Sequence, residues 1–183
     1  MTLIKKFQKH STVQGFTLIE LAITFTVLAV IATLAIPSFN HLQARSESEN
    51  IYPHLNNIIQ HYKNEAIITR KNIILCSTND GKTCNGSNRW NNAILATYDL
   101  NNNNKVDDTD TIIQVHQNNI DYGTLIWTGA FKSNIIVLQR DTGLPRGSMG
   151  NFTYCSTKYP KELSHKSSLS QMGHLRYEKL NTC

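Results

Sequence analysis

The stretch QGFTLIELAITFTVLAVIATLAIPSF, residues 14–39, decides how the rest of the chain is read. Residues 16–36 are an apolar run of 21, and Glu20 is its one charged member. At 1.5 Å of rise per residue, a helix of that length covers about 30 Å, the thickness of a bilayer's hydrocarbon core. Ahead of it lies MTLIKKFQKHSTVQG, with Lys5, Lys6 and Lys9 and no acid. Basic flanks stay on the cytoplasmic side, so the sequence predicts a single-pass membrane protein whose remaining residues are exported.

An ordinary secretory signal is cut behind its apolar segment, after small residues. Pro37, Ser38 and Phe39 stand there and do not fit such a site. The alternative is a cut in front of the run. GFTLIE, residues 15–20, resembles the signal of type IV pilins and type II secretion pseudopilins, with a short basic leader, Gly at the cut, Phe as new N-terminus and Glu as its fifth residue. Pro37, the 22nd residue after that cut, matches a recurrent kink position of the family. The resemblance implies that prepilin peptidase cleaves between Gly15 and Phe16 and methylates the Phe16 amine. It also implies a task for Glu20. A carboxylate at membrane depth is costly and by default has a partner; in pilin-like assembly that partner is the Phe16 amine of the neighbouring subunit. Read alone, Glu20 is an interfacial acid near the favourable N-terminal end of a helix dipole.

The chain has 18 Lys and Arg against 13 Asp and Glu, and without residues 1–15 the balance is 15 against 13. The remaining charge is uneven. Residues 16–70 carry 3 basic and 4 acidic side chains, residues 71–128 carry 4 and 6, and residues 129–183 carry 8 and 3. Residues 37–183 are enough for one core, with no repeat or long low-complexity linker to mark a second domain. Ile51, Leu55, Ile58, Ile59, Tyr62 and Ala66 recur at helical spacing, so an amphipathic continuation of the anchor helix is expected over residues 37–70. Pro53 predicts a kink or short break near residues 49–53.

From residue 71 the texture changes to short β-prone runs between Asn, Asp and Gly clusters: NIILCS, AILATYDL, TIIQVH, TLIW, NIIVLQR, NFTYCS and HLRYEK. They predict an exported antiparallel β domain over residues 71–183, laid on the helix. NEAIITRKNIILCS, the following DGKTC and then DLNNNNKVDDTDTIIQV resemble the minor pilins and pseudopilins of the GspH/FimT/FimU group. The implied fold class is α+β and type IV pilin-like: a long N-terminal α-helix packed on a C-terminal antiparallel β domain.

Cys76, Cys84, Cys155 and Cys183 all lie in the exported part, where an oxidising compartment favours disulfides. Four cysteines allow three pairings, and the spacing does not choose among them. The family resemblance implies Cys76 with Cys84 and Cys155 with Cys183. Zinc is not favoured, since there is no C-x-x-C and no His at ligand spacing. Asp99, Asn101, Asn103, Lys105, Asp107 and Asp110 fall at positions 1, 3, 5, 7, 9 and 12 of an EF-hand-like loop. Asn104 replaces its turn Gly and Asp110 its bidentate Glu, however, so a hairpin turn stands beside calcium as the reading. No phosphate-binding Gly loop, G-x-S-x-G or H-E-x-x-H occurs, and His54 and His61 share a helix face without a third ligand. The expectation is a protein that is not an enzyme and needs no cofactor.

The C-terminal segment interleaves Lys158, Lys161, His165, Lys166, His174, Arg176 and Lys179 with Tyr154, Tyr159 and Tyr177, a composition suited to phosphates and stacked bases. GHLR, residues 173–176, resembles the G-R-x-R motif of DNA-binding FimT-type minor pilins. Gly173 and Arg176 match, while His174 replaces the first Arg. The sequence therefore predicts a minor pilin of the initiating or tip complex of a type IV pilus. Its implied partners are prepilin peptidase, other pilins or pseudopilins and the inner-membrane assembly platform. A DNA-binding minor pilin acting in DNA uptake and a GspH-like pseudopilin of type II secretion are the alternatives.

Overall fold

The structure, a computed structural model, describes residues 17–145 and 147–183. The cleavage residues Gly15 and Phe16 lie outside the described residues. Two units are distinguished by their internal contacts, one ending at Asn40 and one running His41–Cys183. A single helix, α1 (Leu18–Thr69), contributes to both.

In the first unit, every described side chain from residue 17 to residue 39 is exposed. A helix that is apolar all round has no single stripe to lay on a core of its own chain, and this one is long and apolar enough to cross a membrane. Its hydroxyls are satisfied locally. Thr24, Thr26 and Thr33 donate to the carbonyls of Leu21, Ile23 and Val30 at 2.8, 2.7 and 2.7 Å, so these three hydroxyls need no partner outside the helix.

In the second unit the helix becomes two-faced. Ala44, Ser48, Ile51, Leu55, Ile58, Ile59, Tyr62 and Ala66 form one buried stripe. The helix passes through Pro53 without a break, so of the kink or short break expected there the break does not occur. Pro53 is exposed, and the carbonyl it deprives of a helical partner belongs to exposed Glu49. Buried Ile51 and Leu55 on either side hold the turn against the core. The helix ends where Arg70 adopts a left-handed φ of 55°.

Eight strands follow: β1 (Asn72–Thr78), β2 (Ala93–Asp99), β3 (Thr111–Gln117), β4 (Gly123–Gly129), β5 (Ile135–Leu138), β6 (Gly150–Ser156), β7 (His165–Leu169) and β8 (Leu175–Lys179), with a one-turn helix α2 (Pro160–Leu163) before β7. They form two four-stranded sheets, ordered β3-β2-β1-β5 and β4-β6-β7-β8, and every pairing is antiparallel. The inner faces meet the helical stripe in one core that includes Leu75, Ile94, Ile136, Trp127 and Phe152. Trp90, from the β1–β2 connection, meets the Phe152 ring edge-on at 5.1 Å. Strand β1 is buried along its whole length.

Disulfides join Cys76 to Cys84 and Cys155 to Cys183, with Cα atoms 5.7 and 5.9 Å apart. The first closes the loop after β1. The second ties the chain's last residue back to β6.

Candidate assembly and binding surfaces

Thr17 and Glu20 begin α1 with a reciprocal cap. The Thr17 N–H and hydroxyl donate to Glu20 Oε2 at 3.0 and 2.9 Å, and the Glu20 N–H donates to Thr17 Oγ1 at 3.3 Å. This is a capping box, T-x-x-E, in which two backbone donors of the first turn are satisfied by side chains. The sequence holds this pattern in residues 17–20, which adds a local cap to the dipole and intermolecular roles expected of the acid. One carboxylate oxygen is thus used locally, and Oε1 has no hydrogen bond among the described residues.

Just inside the second unit, Glu47 of α1 acts as an anchor for the β3–β4 connection. Its carboxylate accepts the Asp121 N–H at 2.7 Å, the Tyr122 N–H at 3.1 Å and the Tyr154 hydroxyl at 2.8 Å. Burial, then the carboxylate beside it, pushes the Tyr154 phenol far above its ordinary range.

The basic segment occupies the β7–β8 hairpin and the residues before it. Gly173 makes the turn with φ of +69°, and a Cβ there would lie 2.7 Å from Lys63 Cδ. Lys63 Nζ donates to the Met172 carbonyl at 3.1 Å, and Gln60 donates to the Gly173 carbonyl at 2.9 Å. At the open end, Ser48 Oγ lies 3.4 Å from His165 Nδ1. Lys63 and Ser48 are about 22 Å apart along the helix at 1.5 Å per residue, so the hairpin spreads the basic residues rather than gathering them. His174 and Arg176 sit at the turn end, in a shallow concavity with Asn151, Ser168 and Ser170. Lys179 pairs with His165 at the other end. Lys158 precedes α2 and Lys161 lies within it, next to Glu162, which lies 3.3 Å from His41. Lys166 is matched by Glu178 at 2.9 Å, and this hydrogen bond holds the Glu178 carboxyl below its usual range. Tyr177 stands edge-on to Tyr52 of α1 with ring centres 5.6 Å apart, so part of its ring is already used in packing.

Between β2 and β3, the Asp99 carboxylate accepts the N–H groups of Asn103 and Asn104 at 3.1 and 3.0 Å. Asp110 accepts those of Leu100 and Asp107 at 3.0 and 3.1 Å. Asp107 accepts from Thr109, Asn101 and Asn103. Asn102 and Asn104 both have φ of 58°. The acids are spent on the loop's own amides, and the described residues contain no group of three or more His, Cys, Asp or Glu able to hold a metal.

The sequence profile of the family described as "Type II transport protein GspH" matches residues 54–171, more than half of the chain. The chain belongs to the GspH family. The profile of the prokaryotic N-terminal methylation motif matches residues 10–36. Among curated protein sequences, none matches this GspH-family chain. Two crystal structures of the Pseudomonas aeruginosa type IV minor pilin FimU resemble it. One is 16% identical, covering 76% of this chain and 90% of that one with a TM-score of 0.51. The other is 16% identical, covering 73% and 91% with a TM-score of 0.48. The first likeness is one of fold, and the fold is that of a pilin. The GspH-family chain is thus a structural subunit of the minor pilin and pseudopilin class. It carries an N-terminal apolar helix suited to membrane anchoring, and its class assembles with other pilins or pseudopilins.

Proposed function

We propose that this GspH-family protein is processed between Gly15 and Phe16 by prepilin peptidase, N-methylated on Phe16, and then inserted into the initiating or tip complex of a type IV pilus. The globular unit faces the periplasm before assembly, and the inner-membrane platform carries out the insertion. The observation that carries this reading is the methylation-motif match over residues 10–36, whose described part from Leu18 onward is a helix with exposed side chains. Such a helix is complete only when lipid or other subunits surround it. Glu20 Oε1, free of the capping box, is the atom proposed to accept the Phe16 amine of the neighbouring subunit. Intact-mass analysis after expression with the peptidase tests processing. The mature mass plus one methyl group is expected, and Gly15→Leu should retain the leader. A mature mass from Gly15→Leu would remove the reading. Membership of a family described by type II transport supports the secretion pseudopilus as the alternative machine; the neighbouring genes distinguish the two.

A second reading is DNA binding in uptake, favoured by the Arg176 and His174 concavity at the hairpin turn. Lys166 contributes less because Glu178 neutralises it. Contacts would go mainly to phosphate, and affinity would fall with salt by a log-log slope of about −0.9 per phosphate neutralised. Arg176→Ala should weaken anisotropy-detected binding of a labelled duplex to the full chain in detergent, whereas Lys82→Ala should not. Binding indifferent to Arg176 and Lys179 would end this reading.

A further inference from the structure

Each sheet has two edge strands, and among the described residues two of the four, β4 and β5, are met by backbone or side-chain groups of the chain itself while a third, β8, is charged. Along β4, the Trp127 N–H donates to the Asn88 carbonyl at 2.7 Å and the Trp90 N–H to the Leu125 carbonyl at 2.8 Å. Along β5, the Val137 N–H donates to Ser148 Oγ at 3.1 Å. Along β8, the Tyr52 hydroxyl donates to the Leu175 carbonyl at 3.2 Å, and beyond it Arg176, Glu178 and Lys179 blunt the edge with charge. Strand β3 differs. The Asn118 N–H donates to the Asn92 carbonyl at 2.8 Å, and antiparallel alternation then turns the backbone groups of His116 and Gln114 toward β2 and those of Val115 and Gln117 away from it. Among the described residues, no group caps this outward edge.

Unpaired edges are normally blunted by charge, proline or cover, because they template pairing with another chain. TIIQVHQ, residues 111–117, carries no Lys, Arg, Asp, Glu or Pro and is rich in β-branched side chains. Its one irregularity, the register shift opposite Ala96 and Thr97, limits the regular edge to the part beyond Ile113. That part opens onto a groove of about 640 Å³ between α1 and residues 117–122, lined by Asn50, His54, Asn57, Gln117, Asn119 and Tyr122 among others. Amide side chains there can meet a polar backbone or side chain as donor or acceptor.

We infer that the bare edge of β3 is a strand-addition site for an extended segment of a partner polypeptide, neutral and β-branched along its middle and basic at its ends. Main-chain hydrogen bonds to Val115 and Gln117 supply the pairing, and the groove receives side chains that alternate along the added strand. Charge sets the ends. Residues 100–122 carry Asp107, Asp108, Asp110 and Asp121 against Lys105 alone, and Glu47 holds the far side of the groove. A second copy is a poor occupant, because antiparallel pairing of β3 on itself about Val115 would set Asp110 beside the Ile120–Asp121 segment of its mate. The inference concerns this edge alone and holds for either filament machine.

The test uses the full chain in detergent micelles, with amide hydrogen exchange read at each sheet edge. The probes are three synthetic peptides: KTVTVTVK, ETVTVTVE, and the first with alternate backbone nitrogens methylated. KTVTVTVK should slow exchange at Val115 and Gln117 and leave the β4, β5 and β8 edges unchanged. It should bind about two- to fivefold more tightly per ion pair than the Glu-ended peptide at low salt, and the gap should close as salt rises. The methylated peptide should not bind. Val115→Pro removes an N–H that points away from β2, so the fold should survive and binding should be lost. Absence of protection at Val115 and Gln117 at millimolar KTVTVTVK would overturn the inference, as would equal binding of the Glu-ended peptide. Protection that rises with protein concentration and without peptide would make a second copy the occupant and would equally overturn it.

Discussion

Leu28 and Leu55 stand in the same helix, yet Leu28 is 60% exposed and Leu55 is 1% exposed. Helix propensity does not separate them, since both are good helix formers in unbroken helix. The pattern around them does. Near Leu28 apolar side chains run around the whole circumference, and no sheet of the same chain can cover a full ring. Near Leu55 they form a stripe, with Glu49, Pro53 and Asn57 exposed on the other side, and a stripe closes against two sheets. The second half of the helix is therefore finished by its own chain. The first half is left to lipid or to other subunits.

The most damaging change should be Leu55→Ala, which leaves a cavity in the closed half and should cost the globular unit about 2 to 5 kcal/mol in urea unfolding. Leu28→Ala should leave that unfolding unchanged, and an equal loss from both would break the comparison. Replacing Cys155 and Cys183 together by Ala opens a loop with a sequence separation of 28. The expected loss is about 2 to 4 kcal/mol by the loop-closure relation, with the mass spectrum showing no remaining link to the C-terminus. Glu47→Leu should cost about 1 to 3 kcal/mol, because it leaves the Asp121 and Tyr122 N–H groups and the Tyr154 hydroxyl without their acceptor.

A smaller effect is expected from pH. His165 is buried between the rings of Tyr154 and Tyr177, with Ser48 at Nδ1 and Lys179 as its strand partner. The Ser48 hydroxyl donates to the Leu163 carbonyl at 2.6 Å, so it is placed to accept from Nδ1–H, and Nε2 has no partner among the described residues. Burial pushes this imidazole below its ordinary value of 6.5. The unfolded chain then takes up the proton first. Stability should be full above about pH 6.5 and decline as pH falls from there toward the folded value. His116, lowered by burial and by His54 and His61, acts in the same direction. Urea midpoints between pH 7.5 and 5 check this, and His165→Gln should flatten part of the slope.

The contrast between the two halves of α1 was legible in the sequence because ring and stripe are periodicities. So were the strands whose inward residues are apolar, β1 and β2 above all. Strand β7 was missed. Its inward residues are His165, Ser167 and Leu169, so alternation of hydrophobicity does not mark it, and the imidazole is buried only because Tyr154, Tyr177 and Ser48 surround it. Pro53 misled for a related reason. Propensity speaks of an isolated helix, whereas Ile51 and Leu55 are held by the core. The basic segment read as one cluster along the chain, and the hairpin separates His174 and Arg176 from Lys158 and Lys161, a distance that linear order does not carry. The loop after β2 matched EF-hand offsets, but offsets do not say that Asp99 and Asp110 turn to backbone amides.

On the function proposed above, the first half of α1 is completed outside its own chain, and Glu20 is proposed as the group that sets the join. The direct measurement is the amount of this protein in sheared filaments from cells carrying wild type, Glu20→Gln or Glu20→Ala. Gln preserves the capping box with Thr17 and removes the charge, so it separates the local role from the intermolecular one. Normal processing is expected for both variants, with both depleted from the filament fraction to a similar extent. Wild-type abundance of Glu20→Gln beside depleted Glu20→Ala would show that the acid serves only to cap the helix, and would contradict the intermolecular role.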